Sequence, residues 1–167
     1  MEIKFKDCLC DKEHEEDYKN LFESSIGKIE HTSITDLDPL AHQREIWVDG
    51  NKVGYIGSMD FEHKRSKSRM LCIVCFMLYP QYRGQGLGKK ILEKFINKHK
   101  NSYYMIYCWV HKDNADAIAF YSKVGLFPAQ DPLEPYLTKY DYEASLKWEE
   151  HSLSAVKFWE DGERLKP

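Results

Sequence analysis

The sequence predicts a mixed α/β protein of the α+β kind: a mostly antiparallel central sheet with one parallel strand pair, flanked by about four helices. Three observations carry this. Met70 to Leu78 is an unbroken run of nine apolar residues, too short for a membrane span and too apolar for a half-exposed strand, so it reads as a central strand covered on both faces. A helical pattern and a second apolar strand, "YYMIYCWV" from Tyr103 to Val110, follow it. Strand, helix, strand implies a right-handed crossover and parallel pairing. The third observation is "REIWVDGNKVGYIGSMDF", which reads as an antiparallel hairpin turning at Asp49-Gly50-Asn51.

Taken in order, Ile3 and Phe5 alternate with charged residues and predict a first strand over 2–6. Tyr18, Leu21 and Phe22 fall at helical spacing in the polar stretch Glu13 to Ser24, which predicts an amphipathic helix. Gly27 to Gln43 is mixed, with a turn signal at Asp38-Pro39, and reads as a loop or a short second helix. The hairpin and the central strand come next, and Pro80 stops that strand. From Leu87 on, Leu87, Ile91, Leu92, Phe95 and Ile96 form one apolar face, with Lys89, Lys90, Glu93, Lys94 and Asn97 between them. After the second apolar strand, Asp113 or Asn114 can cap a helix carrying Ile118, Ala119 and Tyr121, with Gly125 at its C-terminal cap. Prolines 128, 132 and 135 then argue for a loop, and "SAVKFWE" predicts a last strand. No linker, repeat or composition shift divides the chain, so 1–167 reads as a single domain.

The whole-chain quantities narrow the class. A net charge of -3 argues against a general binder of nucleic acid or anionic membrane. The acidic N-terminal "MEIKFKDCLCDKEHEED" does not resemble a signal peptide, and no apolar run nears the ~18 residues that cross a bilayer. A soluble, cytoplasmic protein, monomer or homodimer, is expected. Five cysteines are an odd count and imply reduced thiols. Cys8-x-Cys10 and Cys72-x-x-Cys75 have metal-like spacing, but residues three apart on a strand point to opposite faces, so buried small hydrophobes are the better reading and no metal is expected.

The stretch "YPQYRGQGLGKK", Tyr79 to Lys90, spends three of nine glycines between the central strand and the following helix. Backbone N–H groups in such a turn and in the first helical turn lack internal partners, and the helix dipole adds positive potential, which suits phosphate oxygens. A tight structural turn is the plainer alternative. A P-loop is excluded because Arg83 stands where its first glycine is needed and Lys90 where Ser or Thr is needed. A dinucleotide fingerprint fails at Lys89, where its third glycine would fall. What does fit is Q/R-x-x-G-x-G/A, in two registers: Gln81-x-x-Gly84-x-Gly86 and Arg83-x-x-Gly86-x-Gly88. With "NADAIAFYSKVGLF", Asn114 to Phe127, following at the expected distance, the chain resembles the GNAT N-acetyltransferases from Met70 to Phe127, and more loosely from Arg44 to Asp60.

That resemblance implies acetyl-CoA as cosubstrate and an amine acceptor, with direct attack in a ternary complex. It implies pyrophosphate binding on the turn's amides, at Arg83, Gly84, Gln85, Gly86, Leu87, Gly88 and Lys89. The pantetheine arm would pair with the main chain of Phe76, Met77 and Leu78, where the family splays the two parallel strands apart. It also implies that Asn114 contacts the pantetheine, that an N–H near Leu78 stabilises the carbonyl oxyanion, and that Tyr121 is the general acid for the departing thiolate. Seven residues turn a helix nearly twice, so Asn114 and Tyr121 can face one cleft. An arbitrary tyrosine there would only pack.

Some members carry a glutamate where this chain has Trp109, and Cys108, His111, Asp113 and Asp60 are all open as bases. The family frames its acceptor pocket with segments that correspond here to 27–43 and 128–167. Glu30, Asp36, Asp38 and Glu45 can favour a cationic amine or simply be solvated, and Tyr103, Tyr104, Tyr107 and Trp109 can line an aromatic wall or belong to the core. "HKRSKSR" over 63–69 reads as a solvated hairpin tip. A catalytically weak acyl-CoA-binding sensor is the competing class.

Overall fold

The computed structural model describes residues 1–8, 12–26, 42–62, 67, 69–111, 115–128 and 152–158. Among these, seven strands and three α-helices follow one another: β1 Ile3–Asp7, α1 Lys12–Ile26, β2 His42–Val48, β3 Asn51–Glu62, β4 Arg69–Leu78, α2 Leu87–His99, β5 Met105–His111, α3 Ala115–Lys123, β6 Phe127–Pro128 and β7 Ser152–Phe158. The sheet order is β1-β2-β3-β4-β5-β7-β6. The β1/β2, β2/β3, β5/β7 and β6/β7 pairs are antiparallel and β4/β5 is parallel, as the mixed, mostly antiparallel sheet requires. A helix within 27–41 and the proposed cap of α3 at Asp113 or Asn114 lie outside the described residues.

The chain divides into two compact units, Met1–Met59 with Val74–Gly88, and Asp60–Ile73 with Lys89–Pro167. In the first, Asp49 (φ 47°) and Gly50 (φ 82°) both take the left-handed conformation, the geometry that a two-residue hairpin turn demands. The β2/β3 register steps from Ile46↔Gly54 to Trp47↔Lys52, so Val53 is an extra residue on β3. This bulge falls where β3 meets the end of β4: the Val53 carbonyl accepts the Tyr79 N–H at 2.9 Å. Next to it, a Cβ on Gly54 would stand 1.9 Å from the Met77 carbonyl oxygen, so only glycine fits. Tyr18 and Leu21 of α1 pack with Tyr55, Cys75 and Met77 into a buried cluster that Tyr79 borders.

In the second unit, Met70, Leu71, Cys72 and Ile73 are buried, as a strand covered on both faces should be. The apolar face of α2 is the one its spacing predicts: Ile91, Leu92, Phe95 and Ile96 are buried and the lysines between them exposed. β5 begins at Met105, two residues later than its apolar pattern suggests, because Tyr103 and Tyr104 complete the connection from α2 and the Tyr104 N–H bonds the Arg69 carbonyl at 2.8 Å. α3 ends at Lys123 and is capped at Gly125 (φ 85°), where Gly125 and Leu126 donate to the Ser122 and Tyr121 carbonyls. That is a Schellman cap, with its glycine where the sequence places it.

Cys8, Cys72, Cys75 and Cys108 are thiols rather than halves of disulfides, the last three buried. No described helix is long and apolar enough to cross a membrane.

The Gly54–Met77 approach leaves no room for adjustment, since backbone meets backbone. Gly54→Ala should lower unfolding free energy by about 3 kcal/mol, read from urea denaturation as a shifted midpoint with an unchanged slope.

Candidate active site

β4 and β5 pair in parallel register from Met70↔Met105 to Ile73↔Cys108. β4 continues through Leu78 and β5 through His111, the latter paired with β7 to its last residue. Over the remainder of β4 the burial alternates. Cys75 and Met77 face the α1 cluster, whereas Val74 and Phe76 are half-buried.

β4 leaves the sheet through Tyr79 and a 3-10 turn, Pro80–Tyr82. Tyr82 and Arg83 donate backbone N–H bonds to the carbonyls of Tyr79 and Pro80, at 2.9 and 3.2 Å. Gly84 (φ 72°) and Gly86 (φ 75°) then adopt the left-handed conformation, and nothing lies within 4 Å of either Cβ position. Conformation explains these two glycines, and the space beside them is open. Gly88 differs: it is a residue of α2, among the glycines with ordinary φ. Among the described residues, no intramolecular backbone bond runs from the amides of Gly84, Gln85 or Gly86, and the first turn of α2 adds N–H groups without helical acceptors. The Arg83 side chain turns back, its Nε donating to the Leu78 carbonyl at 2.8 Å, and Gln85 Nε2 donates to the Gln81 carbonyl at 2.9 Å. Lys89 is exposed and lies 3.8 Å from Glu93 one turn on.

These features have the form of an anion cradle: left-handed glycines, amides at 84–86 with no backbone acceptor among the described residues, and a helix start. Residues 6–126 match the family model described as the Acetyltransferase (GNAT) family. The chain belongs to the GNAT acetyltransferases. No curated protein sequence matches it. Its fold is similar to that of a chain in the NatC complex bound to Gag peptide and CoA (18% identity, 95% of this chain and 99% of that one, TM-score 0.65). It is also similar to Arabidopsis thaliana Naa50 in complex with the bisubstrate analogue CoA-Ac-MVNAL (18%, 93% and 97%, 0.61). A third similar structure is a GNAT family acetyltransferase from Elizabethkingia anophelis with acetyl-CoA bound (13%, 94% and 98%, 0.62).

Of the residues expected to serve this acetyltransferase, Phe76, Met77 and Leu78 are the last three residues of β4, and Arg83 to Lys89 form the turn and the start of α2. Tyr121 lies in the last turn of α3, half-buried, its ring edge-on to Phe120 at 5.4 Å. Asn114 lies outside the described residues, as do Asp113 and the side chains of Trp109 and His111. Cys108 drops out as a base: it is fully buried, and burial, with Cys72 nearby, pushes its thiol well above its ordinary value. Asp60 is committed elsewhere, accepting from Tyr103 at 2.5 Å and from Arg69 at 3.3 Å on an exposed surface. Tyr107 is core, only 1% exposed.

One polar cluster goes unanticipated by the sequence pattern. The Tyr55 and Tyr79 hydroxyls both donate to Oδ2 of Asp17 on α1, and Lys52 lies 3.6 Å from the same oxygen, 3.7 Å from Glu45 and 3.1 Å from the Tyr55 hydroxyl. Partial burial works against the Asp17 charge, but the two phenols and the Lys52 ammonium outweigh it and hold the carboxyl below its ordinary value. Burial and the Asp17 contact push Tyr55 and Tyr79 upward. Burial opposes the Lys52 charge, and Tyr79, Glu45 and Asp17 reverse the balance and raise it. Helical spacing had marked Tyr18 next door, but an aspartate on the wet face carries no signal of two partners from distant strands.

The signs give a pH dependence. Asp17, depressed when folded, contributes stability above the unfolded carboxylate range near ~3.9 that is lost as pH falls through its folded value. Tyr55 and Tyr79, raised when folded, contribute stability below ~10 that is lost at more alkaline pH. In stability-against-pH curves, Asp17→Asn should therefore flatten the acid limb. An acid limb identical to wild type would contradict the assignment.

Proposed function

We propose that this GNAT protein is an acetyl-CoA-dependent N-acetyltransferase, a single domain over 1–167, that acetylates a primary amine of a small molecule or of a peptide or protein. The observation that carries the reading is the turn directly after β4, where Gly84 and Gly86 are left-handed and the amides of 84–86 have no backbone acceptor among the described residues. The residues fit the cosubstrate. The β4 main chain at Phe76, Met77 and Leu78 offers strand-like bonds to a pantetheine arm, and the amides from Gly84 to Lys89 offer donors to a pyrophosphate, the Arg83 N–H being taken by the Pro80 carbonyl. Solved relatives in fold carry CoA with a peptide or a CoA-peptide analogue, which supports a peptide N-terminus among the acceptors to try first.

The chemistry is direct transfer. A neutral amine attacks the thioester carbonyl, the new C–N bond forms, and the C–S bond breaks as the tetrahedral intermediate collapses. A main-chain N–H near Leu78 stabilises the oxyanion. Tyr121 delivers a proton to the CoA thiolate, and Asn114 contacts the pantetheine. The amine, mostly protonated at neutral pH with a pKa near ~10.4, must lose a proton before attack, and no described side chain is assigned as its base.

Thiol release from acetyl-CoA, measured against peptide N-termini, polyamines, aminoglycosides and amino acids, tests the activity. Turnover with one class supports it, whereas acetyl-CoA binding without release against any of them supports an acyl-CoA sensor. Tyr121→Phe should lower turnover about a hundredfold and leave acetyl-CoA affinity unchanged. Unchanged turnover would remove Tyr121 from the mechanism.

A further inference from the structure

Tyr79 occupies the junction between the strand end and the glycine turn, and it is held at three points. Its N–H donates to the Val53 carbonyl at the β3 bulge, and its carbonyl accepts the Tyr82 N–H that closes the 3-10 turn, both at 2.9 Å. Its hydroxyl donates to Asp17 Oδ2. Only the third hold depends on a side chain and reaches another element. Asp17 also accepts from Tyr55, whose ring lies edge-on to Tyr79 at 6.2 Å. One carboxylate oxygen thus ties α1, β3 and the exit of β4 together, beside the Leu78 carbonyl that Arg83 holds from the turn. A charged acceptor with two phenolic donors is a strong and directional tie.

We propose that Asp17 and Tyr79 are positioning residues for the acetyl-CoA turn, fixing where β4 ends and so where the amides that follow Arg83 point. This rests on the acetyl-CoA reading above. Neither residue touches the reacting atoms in this account; both act through the backbone that follows Tyr79. Tyr55 shares the carboxylate but lies within β3, so its hydroxyl serves stability without setting the turn. The tie joins the helix that leads into the segment beyond Ile26 to the turn on which the cosubstrate sits.

The test compares Tyr79→Phe, Tyr55→Phe, Asp17→Ala and Asp17→Asn in the full chain. Acetyl-CoA dissociation constants come from calorimetry and amide hydrogen exchange from the unliganded proteins. Tyr79→Phe, which deletes one hydroxyl and keeps the ring, should weaken acetyl-CoA about tenfold, the effect of losing one charge-assisted hydrogen bond. It should also speed exchange over 80–88. Asp17→Ala should do the same, the double variant should be no weaker than either single one, and Asp17→Asn, which keeps an acceptor in place, should recover part of the loss. Tyr55→Phe should lower the melting temperature yet bind acetyl-CoA as wild type does. If Tyr79→Phe binds as tightly as wild type with unchanged exchange over 80–88, the proposal is overturned, even if Asp17→Ala fails to fold. A wild-type protein that does not bind acetyl-CoA would overturn the cosubstrate reading itself. The exchange data would still decide whether Asp17 and Tyr79 set the turn.

Discussion

The turn after β4 can present its amides to a ligand only if the end of β4 is fixed, and the contact that fixes it is the Tyr79 N–H donated to the Val53 carbonyl of β3 at 2.9 Å. The first half of β4, Met70 to Ile73, is buried on both faces and pairs in parallel with β5. The second half packs through Cys75 and Met77, while its Val74 and Phe76 side chains are only half-buried.

The β3 bulge at Val53 and the bare Cα of Gly54 let β3 approach the end of β4 closely, and the carbonyl of Val53 takes the Tyr79 N–H. The exit then runs through one 3-10 turn into two left-handed glycines with open space beside them. Rigidity upstream and open amides downstream are what a preorganised anion site needs, because donors already in place lose little freedom when the ligand arrives.

Much of this was legible in the residues, for reasons of period and backbone chemistry. The buried face of α2, the two-residue hairpin turn and the Gly125 cap follow from apolar spacing and from glycine's freedom at positive φ. The glycine turn was legible as well, although its third glycine turned out to be helical. The bulge at Val53 was not, because an extra residue in a strand leaves no composition signal. Nor was the Asp17 cluster, whose partners are 38 and 62 positions away. An aspartate among glutamates on a helix reads as solvated, and only the fold brings Tyr55 and Tyr79 to it.

The family places acyl transfer on this frame, and the acceptor is the open chemical question. The central claim, that acetyl-CoA lies along the second half of β4 and on the turn after it, is tested most directly by titrating the ¹⁵N-labelled protein with acetyl-CoA and following its backbone amides. The account predicts large shifts at Gly84, Gly86 and Gly88 and along Phe76 to Leu78, with β1 and the Asp49–Gly50 turn unmoved. Binding that leaves the amides of 76–78 and 84–88 unchanged would contradict it.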